Sequence, residues 1–474
     1  MEEELTPDLC VIGAGSGGLS VAAAAAQLGV DVVLVEKGLM GGDCLNYGCV
    51  PSKALLAAAK RADAVRTAST FGIDVLEAQI DHRAVHDHVH RAIANIAPND
   101  SLERFTGLGV RVIRAQASFL DKETLEAGSV LVRARRFVIA TGGKPVVPPI
   151  SGLEDVPYLT NETIFDLGER VQHLIVLGGG PIGLELGQAY NMLGADVSIF
   201  DTGEFLAKED PEAARVVLKH LHESGVAMYP NTRVERVEPS VQGLAVHFSQ
   251  GTENVIVKGS HILVATGRRP NLKALSLDRA GVAHSDHGIK VDEQLKTSNR
   301  KIYAIGDAIG GQQFTHLANY HASIVIKNAL FRLKPDVSAM NIPRVMYTDP
   351  ELAQVGLTEK EAREKSRRIR IYRWPFADND RAQCERRTEG FIKVVTKKDG
   401  TVLGVTLVGP EAGELLQVWI VAIAKEMRIG DLTSLVLPYP TFSEISKRVA
   451  FAYYRPFLNN GWVRWIIGLL RKLG

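Results

Sequence analysis

Two cysteines lie five residues apart in the segment GGDCLNYGCVPSKALL, residues 41–56 of this 474-residue sequence. Cys49 precedes Pro51, and proline is favoured in the first turn of a helix because the amide it lacks would have no partner there. At that point the helix macrodipole favours a thiolate over a thiol. Side chains at i and i+5 of a regular helix point apart, so Cys44 must lie in an irregular turn, which Gly48 permits. The segment therefore predicts a dithiol placed to exchange electrons.

A metal site is the alternative use of such side chains. Zinc ligands usually come as two close pairs, and the sequence has no second cysteine pair at matching spacing. We expect Arg61–Arg104 to be helical, including a helix over Asp81–Ile96. His82, His86 and His90 lie on one face of that helix and could bind a metal. Interleaved arginines favour a solvated polar face instead, so we expect no metal.

A glycine-rich loop precedes the cysteines and has the spacing of a dinucleotide fingerprint. A short apolar strand leads into Gly13, Gly15 and Gly18, an alanine-rich helix follows, and a second strand ends at Glu36. The first glycine permits a tight turn, the second lets backbone amides approach a pyrophosphate, and the third allows close helix–strand packing. Glu36 would accept hydrogen bonds from ribose hydroxyls.

The same unit recurs after the cysteines. Its glycines are Gly178, Gly180 and Gly183, and its second strand ends at Asp201. The acid follows the first glycine by the same interval in both units, since 36 − 13 = 23 and 201 − 178 = 23. Two dinucleotides and a dithiol together indicate electron transfer. An acid and no nearby arginine at the second strand end favour NADH over NADPH.

Two further apolar strands end in Thr-Gly, at Thr141-Gly142 and at Thr266-Gly267. Each is expected to be the last strand before the chain crosses to another domain, because prolines follow. A strand over Lys301–Ile305 runs into Gly306-Asp307, where an acid is well placed to hold ribitol or ribose hydroxyls. A helix is predicted over Phe314–Leu330, with its N-terminus able to face an electron-rich ring edge.

Bulk composition excludes several classes of protein. Lys+Arg 55 against Asp+Glu 54 gives no basic excess for nucleic-acid binding. Four cysteines are too few for a secreted disulfide framework. The N-terminus does not have the pattern of a signal peptide, and no apolar run reaches the roughly 18 residues of a membrane span. We expect a cytoplasmic protein.

The pattern changes from about residue 343 to strands and helices without a nucleotide loop, which indicates an α+β unit. One of its predicted helices covers Glu411–Glu426. The sequence closes with Asn459–Gly474, NNGWVRWIIGLLRKLG, where apolar residues at helical spacing are flanked by basic ones. Such a helix can lie in a membrane interface, in an oligomer contact or on the protein's own core.

These motifs, in this order, resemble the class I pyridine nucleotide-disulfide oxidoreductases, a family that includes dihydrolipoamide dehydrogenase, glutathione reductase and mercuric reductase. The resemblance covers roughly residues 8–450. It implies an α/β fold with two Rossmann-like domains, for FAD and NAD, and a C-terminal α+β dimerisation domain. The implied boundaries are 1–148 and 269–342 for the two parts of the FAD domain, 149–268 for the NAD(P)H domain, 343–452 for the dimerisation domain and 453–474 for an amphipathic tail.

The resemblance also implies roles for individual residues. Cys49 corresponds to the thiolate beside the flavin, Cys44 to the thiol that attacks the substrate, and Lys53 and Glu185 to an ion pair beside the flavin ring. The catalytic set is completed by Tyr439 and Glu444. Predicted cofactor contacts beyond the two fingerprints are Lys37, Gly42, Thr141, Gly142, Gly267, Gly306, Asp307, Phe314 and Thr315.

One departure from the family is Tyr439, in the segment PYPTFSE. Disulfide-reducing members carry a histidine there, which serves the exchanging thiol across the dimer. A phenol with a pKa near ~10 does not accept a proton at neutral pH as imidazole does. The segment is similar to that of mercuric reductase, although mercuric reductases have a C-terminal cysteine pair and Cys384 is the last cysteine here.

We therefore expect a homodimer that passes electrons from NADH through FAD to the Cys44–Cys49 pair and on to a disulfide or soft-metal acceptor, as in mercuric reductase. Dihydrolipoamide dehydrogenase activity is one alternative. A flavoprotein that reduces a quinone while docked on a membrane through residues 459–474 is another.

Overall fold

A computed structural model describes residues 3–76, 79–251, 253–335, 337, 341–366, 368–458 and 460–473. Both ends of the predicted segment Asn459–Gly474 lie outside the described residues, as do the first two residues of the predicted FAD domain. The chain forms two compact units, Met1–Phe200 with Thr232–Met340 and Asp201–Asn231 with Asn341–Gly474.

A five-stranded parallel sheet is the centre of the first unit. Its strands lie in the order Ile302–Ala304, Arg136–Ile139, Leu9–Ile12, Val32–Val35 and Arg111–Ile113. The central strand is buried on both faces, because Leu9 and Val11 pack in one apolar cluster while Cys10 and Ile12 pack in another. Four apolar residues in a row therefore form a strand covered on both sides.

A second parallel sheet in this unit repeats the arrangement. Its strands lie in the order Tyr158–Leu159, His261–Val264, His173–Leu177 and Asp196–Phe200. In each sheet a glycine loop joins a central strand to a helix, Ser16–Gln27 in the first and Pro181–Met192 in the second. The two predicted dinucleotide-binding units are thus both present.

The remaining strands of the first unit form small sheets, and further helices complete the unit. The strands are Glu3–Leu5, Val130–Val132, Leu125–Ala127 and Ala117–Phe119; Val234–Ser240, Gly243–Gln250 and Glu253–Gly259; Gly143–Pro145 with Arg268–Pro270; and His284–Ser285 with Gly288–Ile289. The other α-helices are Gly42–Asn46, Cys49–Arg66, His82–Ile96, Leu102–Gly107 and Thr315–Ala329.

An antiparallel five-stranded sheet organises the second unit. Its strands lie in the order Arg344–Met346, Glu351–Gly356, Val402–Gly409, Phe391–Lys397 and Ile369–Pro375. Trp419 is fully buried against this sheet, and its indole N–H donates to the hydroxyl of Ser446 at 3.0 Å. The unit's α-helices are Pro211–Glu223, Glu359–Lys365, Asp380–Cys384, Ala412–Leu415, Gln417–Ala424, Glu444–Phe451, Arg455–Leu458 and Gly461–Leu470.

Two predicted helices were wrong in extent. Arg61–Arg104 is not helical throughout, because Gly72 leaves the helical conformation at φ +76° and the next helix begins only after Asp81, whose side chain accepts from the amide of Ala84 at 3.0 Å. The predicted helix Glu411–Glu426 is divided at Leu416 into the helices Ala412–Leu415 and Gln417–Ala424. Glu411 itself stays outside the helix because its φ is 53°.

Candidate active site

The redox loop is built on glycines that bring two backbones into contact. The amide of Gly41 donates to the carbonyl of Ala14 at 2.9 Å. A Cβ on Gly42 would lie 2.6 Å from the Cα of Gly15, so a side chain is excluded there. The cysteine loop and the first glycine loop are therefore held together without intervening side chains.

The two cysteines lie on either side of a break between helices. Cys44 belongs to the short helix Gly42–Asn46, and Cys49 opens the helix Cys49–Arg66 after Gly48 at φ −126°, ψ −111°. Both are free thiols, Cys44 half-buried and Cys49 exposed. The predicted position of Cys49 at a helix N-terminus is observed, and the irregular turn falls after Cys44 rather than around it.

The surroundings of the two thiols shift their pKa values in opposite directions. A hydrogen bond from Cys44 lowers the pKa of Cys49 to about 6, with further help from the hydroxyl of Thr315 and the charge of Lys53. The same hydrogen bond, together with burial, raises the pKa of Cys44 above its ordinary value. At neutral pH the pair is therefore a thiolate at Cys49 and a thiol at Cys44.

An ion pair connects the cysteine helix with the helix of the second glycine loop. Nζ of Lys53 lies 2.5 Å from Oε2 of Glu185, whose side chain is 9% exposed. Lys53 lies one turn after Cys49, so its charge also acts on the thiolate. This pair was inferred from the resemblance alone, and the geometry brings its two members together.

A cleft along the first glycine loop has the features of a nucleotide site. It holds about 970 Å³ together with the solvent at its mouth. Its lining includes Gly13, Gly15, Glu36, Lys37, Gly42, Thr141 and Gly142. The hydroxyl of Thr141 is buried without a hydrogen-bond partner among the residues that the structure describes. A cofactor rich in hydroxyls and phosphate oxygens would satisfy it, so the residues present fit FAD.

Glu36 is held at the edge of this cleft by backbone amides. Its Oε2 accepts from the amide of Ala14 at 2.6 Å, and its Oε1 accepts from the amide of Gly38 at 2.6 Å. The acid at the strand end is thus fixed beside the glycine loop, where the fingerprint places it.

The two glycine loops have the same local geometry. A Cβ on Gly13 or on Gly178 would lie 2.4 Å from a carbonyl oxygen of the neighbouring strand. A Cβ on Gly18 or on Gly183 would lie 1.9 Å from the carbonyl oxygen of the loop's first glycine. A Cβ on Gly180 would meet open space within the described part of the chain, and a Cβ on Gly15 would meet the Cα of Gly42 at 3.9 Å, an ordinary contact. Both loops therefore leave room for a phosphate group to approach the backbone.

Asp307 lies just after Gly306 in the first turn that follows its strand. Burial raises the pKa of Asp307, and the nearby Arg268 guanidinium opposes that rise. Nε of Arg268 is 3.8 Å from Oδ2 of Asp307, and its Nη2 is 3.3 Å from Oδ1 of Asp43 in the redox loop. Arg268, the residue after Gly267, thus joins two predicted cofactor segments to the cysteine loop.

The helix Thr315–Ala329 begins at the dithiol. The hydroxyl of Thr315 lies 3.3 Å from Sγ of Cys49. Phe314 precedes the helix, and its ring stacks on His316 at 5.1 Å between centroids. The helix N-terminus therefore faces the sulfur of Cys49, and its predicted approach to an electron-rich ring edge stays a prediction.

Tyr439 and Glu444 belong to the second unit. The hydroxyl of Tyr439 donates to Oδ2 of Asp380 at 2.9 Å, and its side chain is 69% exposed. This hydrogen bond raises the pKa of Tyr439 above its ordinary value, and the charge of Glu444 acts in the same direction. Tyr439 therefore stays a phenol that donates to a carboxylate, with Asp380 as its hydrogen-bond acceptor.

Asp201 also belongs to the second unit, directly after the strand Asp196–Phe200. Its Oδ1 accepts from the amide of Gly203 at 2.8 Å. The following Glu204 accepts from the side chain of Asn231 at 2.6 Å. The groups at this strand end are thus carboxylates bonded to neutral donors.

The histidine-rich helix differs from its predicted solvated face. His82, His86 and His90 are each half-buried, and Nε2 of His90 lies 3.2 Å from the carbonyl oxygen of Phe165. The expectation of a solvent-facing stripe is wrong, because the turn Ile164–Asp166 packs on that face. Among the described residues, no cluster of three or more potential ligands could hold a metal ion.

Sequence reasoning missed the observed roles of three residues in and around the cysteine loop: Thr315, which contacts Cys49, and Arg268 and Asp43, which contact each other. Thr315 was predicted only as a cofactor contact. Asp43 neighbours Cys44 and accepts from the side chain of Asn161 at 3.1 Å. The only signal for these roles in the sequence was an acid, Asp43, directly beside a cysteine. The partners of Asp43, Asn161 and Arg268, come from distant segments of the chain.

A thiolate–thiol pair beside one dinucleotide cleft, tied by an ion pair to the helix of a second dinucleotide loop, defines a dithiol oxidoreductase that draws electrons from dinucleotides. A family model described as pyridine nucleotide-disulphide oxidoreductase matches residues 7–322, and the dimerisation domain of the same family matches residues 342–450. The chain belongs to this family, whose members use FAD and NAD(P)H.

Relatives and solved structures agree with this assignment. The chain is 34% identical over 449 residues to mercuric reductase of Lysinibacillus sphaericus, covering 94% of this chain and 82% of that protein. It is 33% identical over 448 residues to dihydrolipoyl dehydrogenase of Geobacillus stearothermophilus, covering 93% and 94%. The Escherichia coli flavoprotein disulfide reductase RclA, solved as a Cu(II) complex, superposes with a TM-score of 0.84 at 26% identity, covering 94% of this chain and 99% of that one.

The predicted family, the α/β fold class, the oxidoreductase activity and the dependence on FAD and a nicotinamide dinucleotide are confirmed by these matches. The dimerisation domain supports a homodimer. No helix among the described residues has the length and apolar character needed to cross a bilayer.

Proposed function

We propose that this protein is an NADH-dependent, FAD-containing reductase that delivers electrons through Cys44 and Cys49 to a soft metal ion. The observation that carries the dithiol chemistry is the surroundings of Cys49, whose Sγ lies 3.3 Å from the hydroxyl of Thr315 and one helical turn from the Lys53–Glu185 ion pair. These groups favour a thiolate at Cys49 and leave the proton on Cys44. When bound, FAD accepts a hydride equivalent from the nicotinamide and supplies an electron pair for reducing a disulfide.

Three side chains hold the Cys49 thiolate in this proposal. Thr315 and Cys44 donate hydrogen bonds to its sulfur, and the ammonium of Lys53 adds a favourable charge. Glu185 fixes that ammonium in place. Cys49 is thereby kept as a thiolate once the disulfide has been reduced, while Cys44 keeps its proton and is the group that meets the acceptor.

The choice of acceptor rests on Tyr439. In the family, the residue at this position serves the exchanging thiol across the dimer, and we carry that role over as part of the proposal. Disulfide exchange needs a base that removes the proton of Cys44. A phenol whose pKa is raised by Asp380 does not act as that base at neutral pH.

A soft metal ion removes the need for a base. Binding to sulfur favours the thiolate, so the metal itself displaces the Cys44 proton to water. With a two-electron acceptor the balance is NADH + Hg(II) → NAD⁺ + H⁺ + Hg(0), and with a one-electron acceptor NADH + 2 Cu(II) → NAD⁺ + H⁺ + 2 Cu(I). The similarity to mercuric reductases and to a reductase solved with Cu(II) supports this class of acceptor.

The proposed nicotinamide donor is NADH rather than NADPH. A carboxylate at Asp201 would accept from a ribose hydroxyl and repel a 2′-phosphate, and the segment after it, residues 202–205, has no arginine. We further propose a homodimer formed through residues 342–450, in a reducing compartment such as the cytoplasm.

An acceptor panel tests the proposal. Purified holoenzyme is assayed anaerobically with NADH and Hg(II), Cu(II), lipoamide, glutathione disulfide or a soluble quinone. We expect kcat/KM for at least one metal ion to exceed that for either disulfide by tenfold or more. Tyr439→His should raise disulfide turnover about tenfold and leave metal turnover unchanged, whereas Tyr439→Phe should change neither. Rapid lipoamide turnover by the wild type would overturn the proposal.

Two other acceptors follow from particular observations. The 33% identity to dihydrolipoyl dehydrogenase favours lipoamide, which the same panel tests. A quinone is favoured by the exposed apolar helix Gly461–Leu470, since quinones dissolve in membranes. The panel separates these two acceptors from a metal ion directly.

A further inference from the structure

The helix Gly461–Leu470 lies beyond the part of the chain that the family models match, which ends at residue 450. Its large side chains are exposed: Trp462 is 72% exposed, Trp465 59% and Leu470 60%. Asn460 caps the helix by accepting from the amide of Trp462 at 3.0 Å. This capped helix therefore presents apolar surface that the described part of the chain leaves open.

The side chains of this helix and of the three residues after it, whose amides bond back to the last turn, separate into two faces. At about 100° per residue, one face is continuous and apolar and the other is basic. The apolar face consists of Trp462, Val463, Trp465, Ile466, Ile467, Leu469, Leu470 and Leu473. The narrower face consists of Arg464, Gly468, Arg471 and Lys472. The two tryptophan rings meet edge to face at 5.6 Å between centroids, near the start of the apolar face.

The charged residues in the sequence segment that contains this helix all have one sign. Residues 445–474 contain six basic residues and no acidic residue. The basic residues are Lys447, Arg448, Arg455, Arg464, Arg471 and Lys472. The chain as a whole is nearly neutral, with a net charge of +1, so the basic excess is local. A second copy of this helix would bring like charges together, whereas an anionic surface would complement them.

The helix is too short to span a bilayer. Its 10 residues extend about 15 Å, against a hydrocarbon core of about 30 Å. A basic amphipathic helix with tryptophans instead lies in the interface, its apolar face among the acyl chains and its cations at the headgroups.

We propose that the helix Gly461–Leu470 docks the enzyme flat on an anionic lipid surface. This inference does not depend on the identity of the electron acceptor, and the reductase chemistry of the dithiol does not depend on it. A homodimer would carry two such helices, one on each subunit.

Vesicle flotation of the full-chain holoenzyme tests this docking. We expect binding to phosphatidylcholine vesicles that contain phosphatidylglycerol, little binding to phosphatidylcholine alone, and weaker binding at high salt. The triple variant Arg464→Gln/Arg471→Gln/Lys472→Gln should bind about 100-fold more weakly, because each basic residue near such a surface contributes about fivefold. Trp462→Ala/Trp465→Ala should bind at least tenfold more weakly.

A matched control carries three exposed basic residues outside the tail, Lys122→Gln/Lys208→Gln/Lys360→Gln. It loses the same charge and should float like the wild type. All variants should keep the wild-type NADH oxidation rate with a soluble acceptor and the wild-type mass by light scattering. If the wild type floats equally with neutral and anionic vesicles, the proposal is wrong. It is also wrong if the wild type fails to bind vesicles and the tail variants lose the mass of a dimer, because the helix then serves the dimer contact instead.

Discussion

Sγ of Cys49 lies 3.3 Å from Oγ1 of Thr315, a residue 266 positions further along the chain. Thr315 is the first residue of the 15-residue helix Thr315–Ala329, so the sulfur receives both a hydroxyl and the positive end of a helix dipole. The helix Thr315–Ala329 thus contributes directly to the electrostatics of the redox pair. Cys49 also opens its own helix, so two helix N-termini act on one thiolate.

The reactivity of Cys49 should report this environment. We expect alkylation of Cys49 by iodoacetamide, followed by mass spectrometry of the reduced holoenzyme, to have a pH midpoint of about 6. Thr315→Val removes one hydrogen bond to the thiolate and should raise that midpoint by about one pH unit. Cys44→Ala removes the largest contribution and should raise it further. Thr70→Val, at an exposed hydroxyl bonded to the carbonyl of Thr67, should leave it unchanged. A Cys49 midpoint near the ordinary cysteine value would contradict this assignment.

The Lys53–Glu185 pair should be sensitive to loss of one member. Lys53→Met leaves the buried Glu185 carboxylate without its ammonium and should lower the free energy of unfolding by about 3 kcal/mol. Lys53→Met/Glu185→Leu should recover most of that loss, because no buried charge remains. The matched control is the exposed pair Lys301–Glu123 at 2.6 Å, where Lys301→Met should cost less than about 1 kcal/mol. Chemical denaturation of the wild type and the three variants measures these free energies of unfolding. Equal losses for Lys53→Met and Lys301→Met would refute the prediction.

Substitution of the third glycine in each loop should affect the binding of a different cofactor. Gly18→Ala places a Cβ 1.9 Å from a carbonyl oxygen and should abolish FAD retention during purification, read from flavin absorbance. Gly183→Ala makes the same clash in the second loop, so it should retain FAD and lose NADH binding. Gly107→Ala, where the Cβ meets open space among the described residues, should behave like the wild type. Retention of both cofactors by Gly18→Ala would argue against the assignment of the first loop.

His321 should make stability depend on pH. Burial lowers the pKa of His321 to about 4, and its Nδ1 accepts from the amide of Gly306 at 3.2 Å, so the folded protein holds a neutral imidazole. The unfolded chain binds a proton near pH 6.5, so this stabilisation is present above pH 6.5 and is lost as the pH falls toward about 4. The loss should reach about 3 kcal/mol. In His321→Asn the unfolding midpoint should fall less steeply with acidification, and an unchanged slope would disprove the role of this histidine.

The sequence was sufficient where the requirement is local. The turn at Gly13 and the turn at Gly178 each need a residue without a side chain, because a strand carbonyl lies 2.4 Å from the Cβ position. Such a requirement is visible in glycine spacing. The strand and helix on either side follow from apolar periodicity, which is also local, and both Rossmann-like units could be placed in this way.

The sequence was insufficient where the partner is distant. Thr315 lies 266 positions from Cys49, and Arg268 lies 225 positions from Asp43, the residues of the cysteine loop that they contact. No local pattern encodes contacts over such distances along the chain. The histidine face failed for the same reason, since 75 residues separate His90 from the carbonyl of Phe165 that covers it. Helical spacing predicts that His82, His86 and His90 lie on one face of the helix. It does not predict whether solvent or another part of the protein covers that face.

Anaerobic titration of the holoenzyme with NADH tests the central claim, that the Cys49 thiolate is electronically coupled to the flavin. We predict that two-electron reduction produces the long-wavelength absorbance of a thiolate beside an oxidised flavin, and that Cys49→Ser lacks this band. Cys44→Ser should show the band before any NADH is added, because its Cys49 is already a free thiolate. Absence of the band in the wild type would contradict the account.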